Sequence, residues 1–302
     1  MKIKKYAAID IGSNALRLLV SNVISFKGKT FFLKNALVRV PIRLGQDSFT
    51  KGIISDKNIK RIIKSMKSFR LLMKVHDVEG YLAYATSAIR DAKNGTHVVD
   101  KVFKKSKVKI EIIDGKKEAK IISNTNIFEI IDIEKTYLNI DVGGGSTEFS
   151  ILRRGKRINS ISFKIGTVRL INQGFDEKIW KQVEKWVKMN TESYSKIYII
   201  GTGGNINKLH KLSGVKDSRP ISYLNLNSIY KKLTALTYEE RIVELGLNQD
   251  RSDVIIPATK LFLKLLKWSG AKVIYVPKVG LSDGMIRELY KKKRKINFQT
   301  IV

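Results

Sequence analysis

Three glycine-rich turns hold most of the residues in this chain whose types and spacing could do chemistry. Asp10-Ile11-Gly12-Ser13-Asn14 and Asp141-Val142-Gly143-Gly144-Gly145-Ser146-Thr147 each lie between two apolar, β-rich runs, so both read as strand-to-strand turns. Glycine inside a sheet costs conformational entropy and packs nothing, so Gly143, Gly144 and Gly145 need a reason. One reason is a tight hairpin. The other is a backbone that approaches an anion closely, with converging N–H groups. The third turn, Gly201-Thr202-Gly203-Gly204, leaves a strand and opens a helix. It is not a dinucleotide fingerprint, because Ile206 occupies the position of the third glycine. Neither hairpin turn is a P-loop, which needs a Lys-Ser/Thr pair and a following helix; the exit run 148–154 is β-branched and alternating.

Composition narrows the classes. The chain has 302 residues, 43% of them hydrophobic, which suits two domains of ordinary size, each with its own core. No apolar run is long enough to cross a bilayer, so no membrane partner is expected. The segment MKIKKYAAID opens like a signal peptide, but Asp10, Ser13 and Asn14 interrupt the apolar region. There are no cysteines, which excludes disulfides and thiolate metal sites and fits a reducing cytoplasm, the expected location. The three histidines, His76, His97 and His210, lack metal-motif spacing, so any divalent ion would be held by oxygens. Lys and Arg number 58 against 27 Asp and Glu, a net charge of +31. Such a field concentrates phosphates, yet the lysines are scattered apart from KKKRK at 291–295, and compositional drift accounts for much of it. The charge permits a polyanion without identifying one, and nucleic acid is not expected as a specific partner.

The elements that must position the turns fall into two copies of one plan. Residues 5–11, 15–25 and 30–40 read as a three-strand meander. A helix capped by Ser55 follows, with Ile59, Ile62, Ile63, Met66, Phe69 and Met73 on one face. YLAYATSAIR returns to strand and turns toward a helix, VKIEIID (108–114) is another strand, and KKEAKIISNTNIFEI is helical. The order then restarts with strands at 137–142, 147–154 and 157–165. A helix at 177–196, strand 197–201, helix GNINKLHKL, a helix at 252–268, strand KVIYVPK and a last helix from about 283 complete it. A repeat this long is a duplicated domain rather than a solenoid, and two such domains facing each other across their glycine turns predict a cleft.

The segments DIGSN, YATSAIRDAKN (84–94), DGKKEA (114–119), IDVGGGSTE (140–148), KIGTVRL (164–170), GTGGNI (201–206) and GLSDGMIREL (280–289) occur in this order. Together they resemble the exopolyphosphatase/guanosine-pentaphosphate phosphohydrolase family of the actin, Hsp70 and sugar-kinase superfamily, across essentially the whole chain and in its short, two-domain form. The resemblance implies an α/β fold of two duplicated actin-like (ribonuclease H-like) domains. The first would hold residues 1–122 plus a returning helix from about 284 to 302, and the second residues 123–283. It implies removal of the terminal orthophosphate from inorganic polyphosphate by water attack, or the same chemistry on guanosine pentaphosphate. The rival from another class is a catalytically silent polyphosphate-binding protein. A homodimer is what the family suggests.

By that resemblance the glycine turns would clamp phosphates, through Gly12, Ser13 and Asn14 in one domain and Gly143, Gly144, Gly145, Ser146 and Thr147 in the other. Gly203 and Gly204 of the third turn would join them. Glu118 falls where the family's catalytic glutamate lies and would orient and deprotonate the water. The first glutamate of the family pair is Lys117 here, an ammonium able to depress the pKa of Glu118. Asp141, Glu148 and Asp10 would hold Mg²⁺, or another divalent cation, or its water shell; capping and a hairpin charge are the plainer roles for Asp10 and Glu148. Arg17, Arg90 and Arg251 match basic positions near the phosphates, where the guanidinium fork suits the geometry.

Overall fold

A computed structural model of the chain describes every residue except 124, 126, 128–130, 175, 218 and 300–302, and no side chain at 123 or 295–299. The chain divides into two compact units, Met1–Thr125 with Leu281–Val302, and Asn126–Gly280. Among the described residues no helix is long and apolar enough to cross a membrane.

The first unit is built on β1 (Lys2–Ile11), β2 (Leu16–Phe26), β3 (Lys29–Val40), β4 (Gly80–Ala85) and β5 (Glu111–Ile112), in the order β3-β2-β1-β4-β5. The first three strands are antiparallel, while β4 and β5 run parallel to β1. β1 is central, which is why Tyr6–Ile11 is a continuous buried run rather than an alternating one. Its helices are α1 (Leu44–Lys51), α2 (Asp56–Val75), α3 (Ser87–Asp91), α4 (Gly95–Ser106) and α5 (Gly115–Ser123). The expected cap of α2 is present: Ser55 Oγ accepts from the Asn58 N–H at 3.3 Å. α4 was not legible in the sequence, because β-branched Val98 and Val102 are poor helix formers. Their burial at an i, i+4 spacing with Ser106 outweighs propensity. The strand expected over 108–114 shortens to Glu111–Ile112, since Ser106 Oγ and the Tyr81 hydroxyl take the N–H groups of Val108 and Lys109.

The second unit repeats the plan. β6 (Thr136–Val142), β7 (Thr147–Arg153), β8 (Lys156–Phe163), β9 (Tyr198–Thr202), β10 (Ile221–Ser222) and β11 (Val273–Tyr275) pair in the order β10-β11-β9-β6-β7-β8. Thus β8-β7-β6-β9-β11 echoes the first sheet, with β10 added at its edge. This is the duplicated ribonuclease H-like arrangement that the resemblance implies. The helices are α6 (Thr167–Gln173), α7 (Glu177–Thr191), α8 (Gly204–Leu212), α9 (Tyr223–Ala235), α10 (Tyr238–Val243), α11 (Gln249–Ser252) and α12 (Ile255–Ser269). The helix expected at 252–268 is α12, starting at Ile255, and α6, α9, α10 and the short α11 are additions to the sequence reading. The helix expected after Lys116 ends as α5 at Ser123, and part of its remainder lies outside the described residues.

The last helix, α13 (Leu281–Gln299), returns to the first unit and closes its core, packing Met285, Ile286 and Leu289 on Tyr6, Leu19 and Tyr84. Gly284 permits this closure. A Cβ there would lie 2.2 Å from the Ile121 carbonyl oxygen of α5, closer than any real Cβ approaches backbone.

Candidate active site

In the first unit the turn after β1 closes through the Gly12 N–H and Ala15 carbonyl at 3.2 Å. Its carbonyls are drawn back into the protein. Asn14 accepts from the Arg43 N–H at 2.9 Å, Ser13 from Gly45 at 2.8 Å, and Ile11 from Thr86 at 3.2 Å. Ser13 Oγ is buried 2.8 Å from Ser87 Oγ, which stitches the turn to the start of α3. Asp10 and Arg17 face each other across the β1–β2 ladder, and Arg17 Nη1 donates to Asp10 Oδ2 at 3.0 Å. Asp10 is buried, and burial raises its carboxyl above the usual range while Arg17 pulls it back down. Both side chains expected to meet ligand are thus engaged with each other.

Glu118 stands one turn into α5. Asp114 begins that helix, its carboxylate accepting from the Lys117 N–H at 2.7 Å and its carbonyl from the Glu118 N–H at 3.0 Å. The Glu118 carboxylate is buried, with Oε2 3.5 Å from Arg90 Nη1, and Arg90 also donates to the Ile113 carbonyl at 2.7 Å. Arg90 is therefore the cation beside Glu118. Lys117, expected to be the neighbouring charge, instead pairs with Glu111 and lies 4.7 Å from the centre of the Tyr84 ring.

In the second unit the three glycines are held from behind. The first three amides of α6 have no partner within their own helix. Thr167 N–H donates to the Gly143 carbonyl at 3.0 Å, and Val168 and Arg169 N–H to that of Gly144 at 2.8 and 3.0 Å. Arg169 Nε adds a bond to the Gly145 carbonyl at 3.0 Å. With the carbonyls spent on α6, the N–H groups of Gly144, Gly145 and Ser146 point the other way, while the Gly143 N–H donates to the Ser146 carbonyl at 3.0 Å. Among the described residues no protein acceptor meets the N–H of Gly144 or Gly145. Gly166 makes this contact possible, because a Cβ there would lie 2.4 Å from Gly145 N. Thr147 is fully buried and donates its hydroxyl to the Ile165 carbonyl, so it braces the turn from inside.

Asp141 and Glu148 are cross-strand partners on β6 and β7, and Asp141 is also in register with Thr202 on β9. Thr202 Oγ1 donates to Asp141 Oδ2 at 2.7 Å, and Ser162 Oγ donates to Glu148 Oε1 at 2.9 Å. Gly203, at φ 97°, brings the third turn against Asp141: its missing Cβ would sit 3.1 Å from Asp141 Oδ1. Arg251 donates to the Gly204 carbonyl, bracing the start of α8. Among the described residues no group of three or more His, Cys, Asp or Glu converges as a ready metal cage. Two carboxylates directly opposite on neighbouring strands nevertheless repel unless a cation lies between them, and Mg²⁺ commonly takes one or two carboxylates with water and phosphate. Asp141 and Glu148 fit such an ion. Asp10 belongs to the other unit, where its carboxylate accepts from Arg17.

The set thus divides between the units: Gly12, Ser13, Asn14, Asp10, Arg17, Arg90 and Glu118 in one, and Gly143 to Thr147, Asp141, Glu148, Gly203, Gly204 and Arg251 in the other. Four supporting residues escaped the sequence reading: Ser87, Gly166, Arg169 and Thr202. The segment KIGTVRL contained two of them, but nothing local to it reveals that it packs beneath the glycine turn.

Two ribonuclease H-like units of one plan, each with a glycine turn and carboxylates at its strand ends, define the fold class. The model of the Ppx/GppA phosphatase family matches residues 36–293, and the chain belongs to that family. It is 31% identical over 89% of its length to a bifunctional 3-dehydroquinate synthase/phosphatase of Fusobacterium nucleatum, of which it spans 44%. Exopolyphosphatase 1 of Mycobacterium tuberculosis is 21% identical, over 93% of this chain and 87% of that one. An exopolyphosphatase structure from Cytophaga hutchinsonii superposes with a TM-score of 0.83 at 24% identity, covering 96% of this chain and 98% of the other. A Ppx/GppA family structure from Aquifex aeolicus gives 0.75 at 24% identity, covering 96% and 99%.

Proposed function

We propose that this chain is an exopolyphosphatase, releasing terminal orthophosphate from inorganic polyphosphate by direct attack of water. The observation that carries the reading is the orientation of the glycine peptides at 143–145. Three carbonyls bound by α6 leave a row of backbone donors suited to phosphoryl oxygens. The exopolyphosphatases among the similar proteins support the same substrate.

In this mechanism the backbone donors of the turn at 143–145 meet phosphoryl oxygens of the chain. Glu118 accepts a proton from water as its oxygen bonds to the terminal phosphorus. The bridging P–O bond breaks, and its electron pair leaves with the shortened chain. Phosphoanhydrides have good leaving groups, so most of the catalysis is positioning and charge stabilisation. Arg90 holds the Glu118 carboxylate in place, and Thr202 and Ser162 orient Asp141 and Glu148 toward a divalent cation. When bound, that cation would neutralise charge on the phosphoryl oxygens.

The test is phosphate release from long polyphosphate and from guanosine pentaphosphate, with and without Mg²⁺, by the parent and Glu118→Gln. Turnover on polyphosphate should exceed that on the nucleotide, require the cation, and drop by about 10²–10⁴ in the variant while binding persists. Preference for the nucleotide would transfer the same chemistry to the other substrate. Activity within twofold of the parent in Glu118→Gln would remove Glu118 from its role.

A further inference from the structure

The first unit carries a second basic site, at the end of β1 remote from its glycine turn. Strand periodicity puts Lys2, Lys4 and Tyr6 on the face that α13 covers, and helix periodicity puts Tyr290, Lys293 and Arg294 on the facing side of α13. Between them lies a cavity of about 150 Å³, lined by Lys2, Lys4, Ser25, Tyr290, Lys293 and Arg294 among others. The Tyr290 hydroxyl is fixed near Ser25 and Thr30, at 3.5 and 3.3 Å, which anchors the helix at this point.

The charges there are one-sided. Lys4 pairs with exposed Glu79 at 3.7 Å, and Lys292, on another face of the helix, pairs with Glu288 at 2.6 Å. Among the described residues no carboxylate lies within ion-pair distance of Lys2, Lys293 or Arg294. Converging ammonium and guanidinium groups repel one another unless an anion sits among them. The aromatic lining is already engaged: Tyr6 is buried, and the Tyr290 ring meets Phe32 in a T-shaped contact at 5.6 Å and has the Arg294 guanidinium over it at 5.8 Å. Cations and hydroxyls without an open aromatic face recognise phosphoryl oxygens rather than nucleobases.

Lys4 and Asp10 lie six positions apart on β1, roughly 20 Å at ~3.3 Å per residue. A phosphoryl group at the turn Gly12–Asn14 therefore cannot touch the cavity, but a chain of phosphates is long enough to span the two. We propose that this cavity is an exosite for a non-terminal segment of a long inorganic polyphosphate, selecting long chains over short ones. As a statement about substrate choice it rests on the exopolyphosphatase reading, whereas the binding it requires can be measured without turnover.

The test uses the full chain carrying Lys2→Gln, Lys293→Gln and Arg294→Gln together. On tripolyphosphate its kcat and KM should stay within twofold of the parent. On long polyphosphate KM should rise, and the slope of log KM against log salt should fall by about 2, three contacts at ~0.7 each for a flexible polyanion. Equal KM changes on both substrates, or no change on the long one, would overturn the exosite. A second arm measures anisotropy of end-labelled long polyphosphate bound to Glu118→Gln, with and without the three substitutions, against labelled single-stranded DNA of matched charge. Weaker polyphosphate binding with DNA binding unchanged supports the proposal, even if the parent hydrolyses no polyphosphate and the catalytic reading fails. An equal loss of DNA binding would make the cavity a general nucleic-acid contact and refute its selectivity.

Discussion

Replacing Gly166 by alanine tests whether the glycine turn works through its packing on α6. Gly166 has φ −145°, a conformation open to any residue, so alanine adds no backbone strain there and the perturbation is purely steric. The new Cβ would sit 2.4 Å from Gly145 N and 2.5 Å from Gly144 C and O, whereas ordinary contact begins near 3.4 Å. Those atoms are backbone and cannot rotate aside, so the turn must move by about 1 Å. A misplacement of that size can cost ~10² in rate, or about 2.7 kcal/mol in the barrier. Overpacking should separately cost about 1–3 kcal/mol of stability. Phosphate release gives kcat and KM, and thermal denaturation shows that the variant remains folded at the assay temperature. The expected result is a folded enzyme with kcat/KM down by about a hundredfold. Parental activity with a parental melting temperature would show that the turn's position does not depend on this contact, and the argument from spent carbonyls would fall.

Gly284→Ala should act on Glu118 at a distance, since its Cβ would meet the Ile121 carbonyl at 2.2 Å and force α5 away from α13. A fall in kcat larger than the change in KM is expected, and unaltered kcat would exclude the link. Arg17→Met should destabilise the protein more at neutral pH than near pH 4, as measured by urea unfolding at both. Burial holds the folded Asp10 above its unfolded value, so stability is lost as pH rises through the folded value, and Arg17 opposes that loss. Protonated Asp10 needs no counter-ion, so equal destabilisation at the two pH values would contradict the buried pair. Asp141→Asn should raise the Mg²⁺ concentration needed for half-maximal activity, because an anionic ligand becomes neutral. An unchanged Mg²⁺ titration would make Asp141 a structural residue rather than a metal ligand.

Much of the plan was legible in the linear chain because its causes are local. Alternating and β-branched runs identified the two meanders, Ser55 announced α2, and the repeated Asp-x-Gly turns revealed the duplication. The order of motifs supplied the family and singled out Glu118. Local pattern also has clear limits here. α4 forms against the propensity of its valines, and α6 exists at a place where the sequence reads only as a break after a strand. Asp10 and Arg17 lie seven positions apart with nothing to say that they bond; the hairpin register decides it. Arg90, rather than the adjacent Lys117, meets Glu118, because successive residues of a helix point about 100° apart and Lys117 faces Glu111 and Tyr84 instead. Gly166 and Gly284 look like ordinary turn and helix glycines until the segments 21 to 22 and 163 residues away are packed against them. Sequence determined which residues could serve, through spacing and backbone preference. The tertiary structure decided which atoms they meet, since hydrogen bonds and steric contacts act over a few ångströms and join parts of the chain that no local pattern connects.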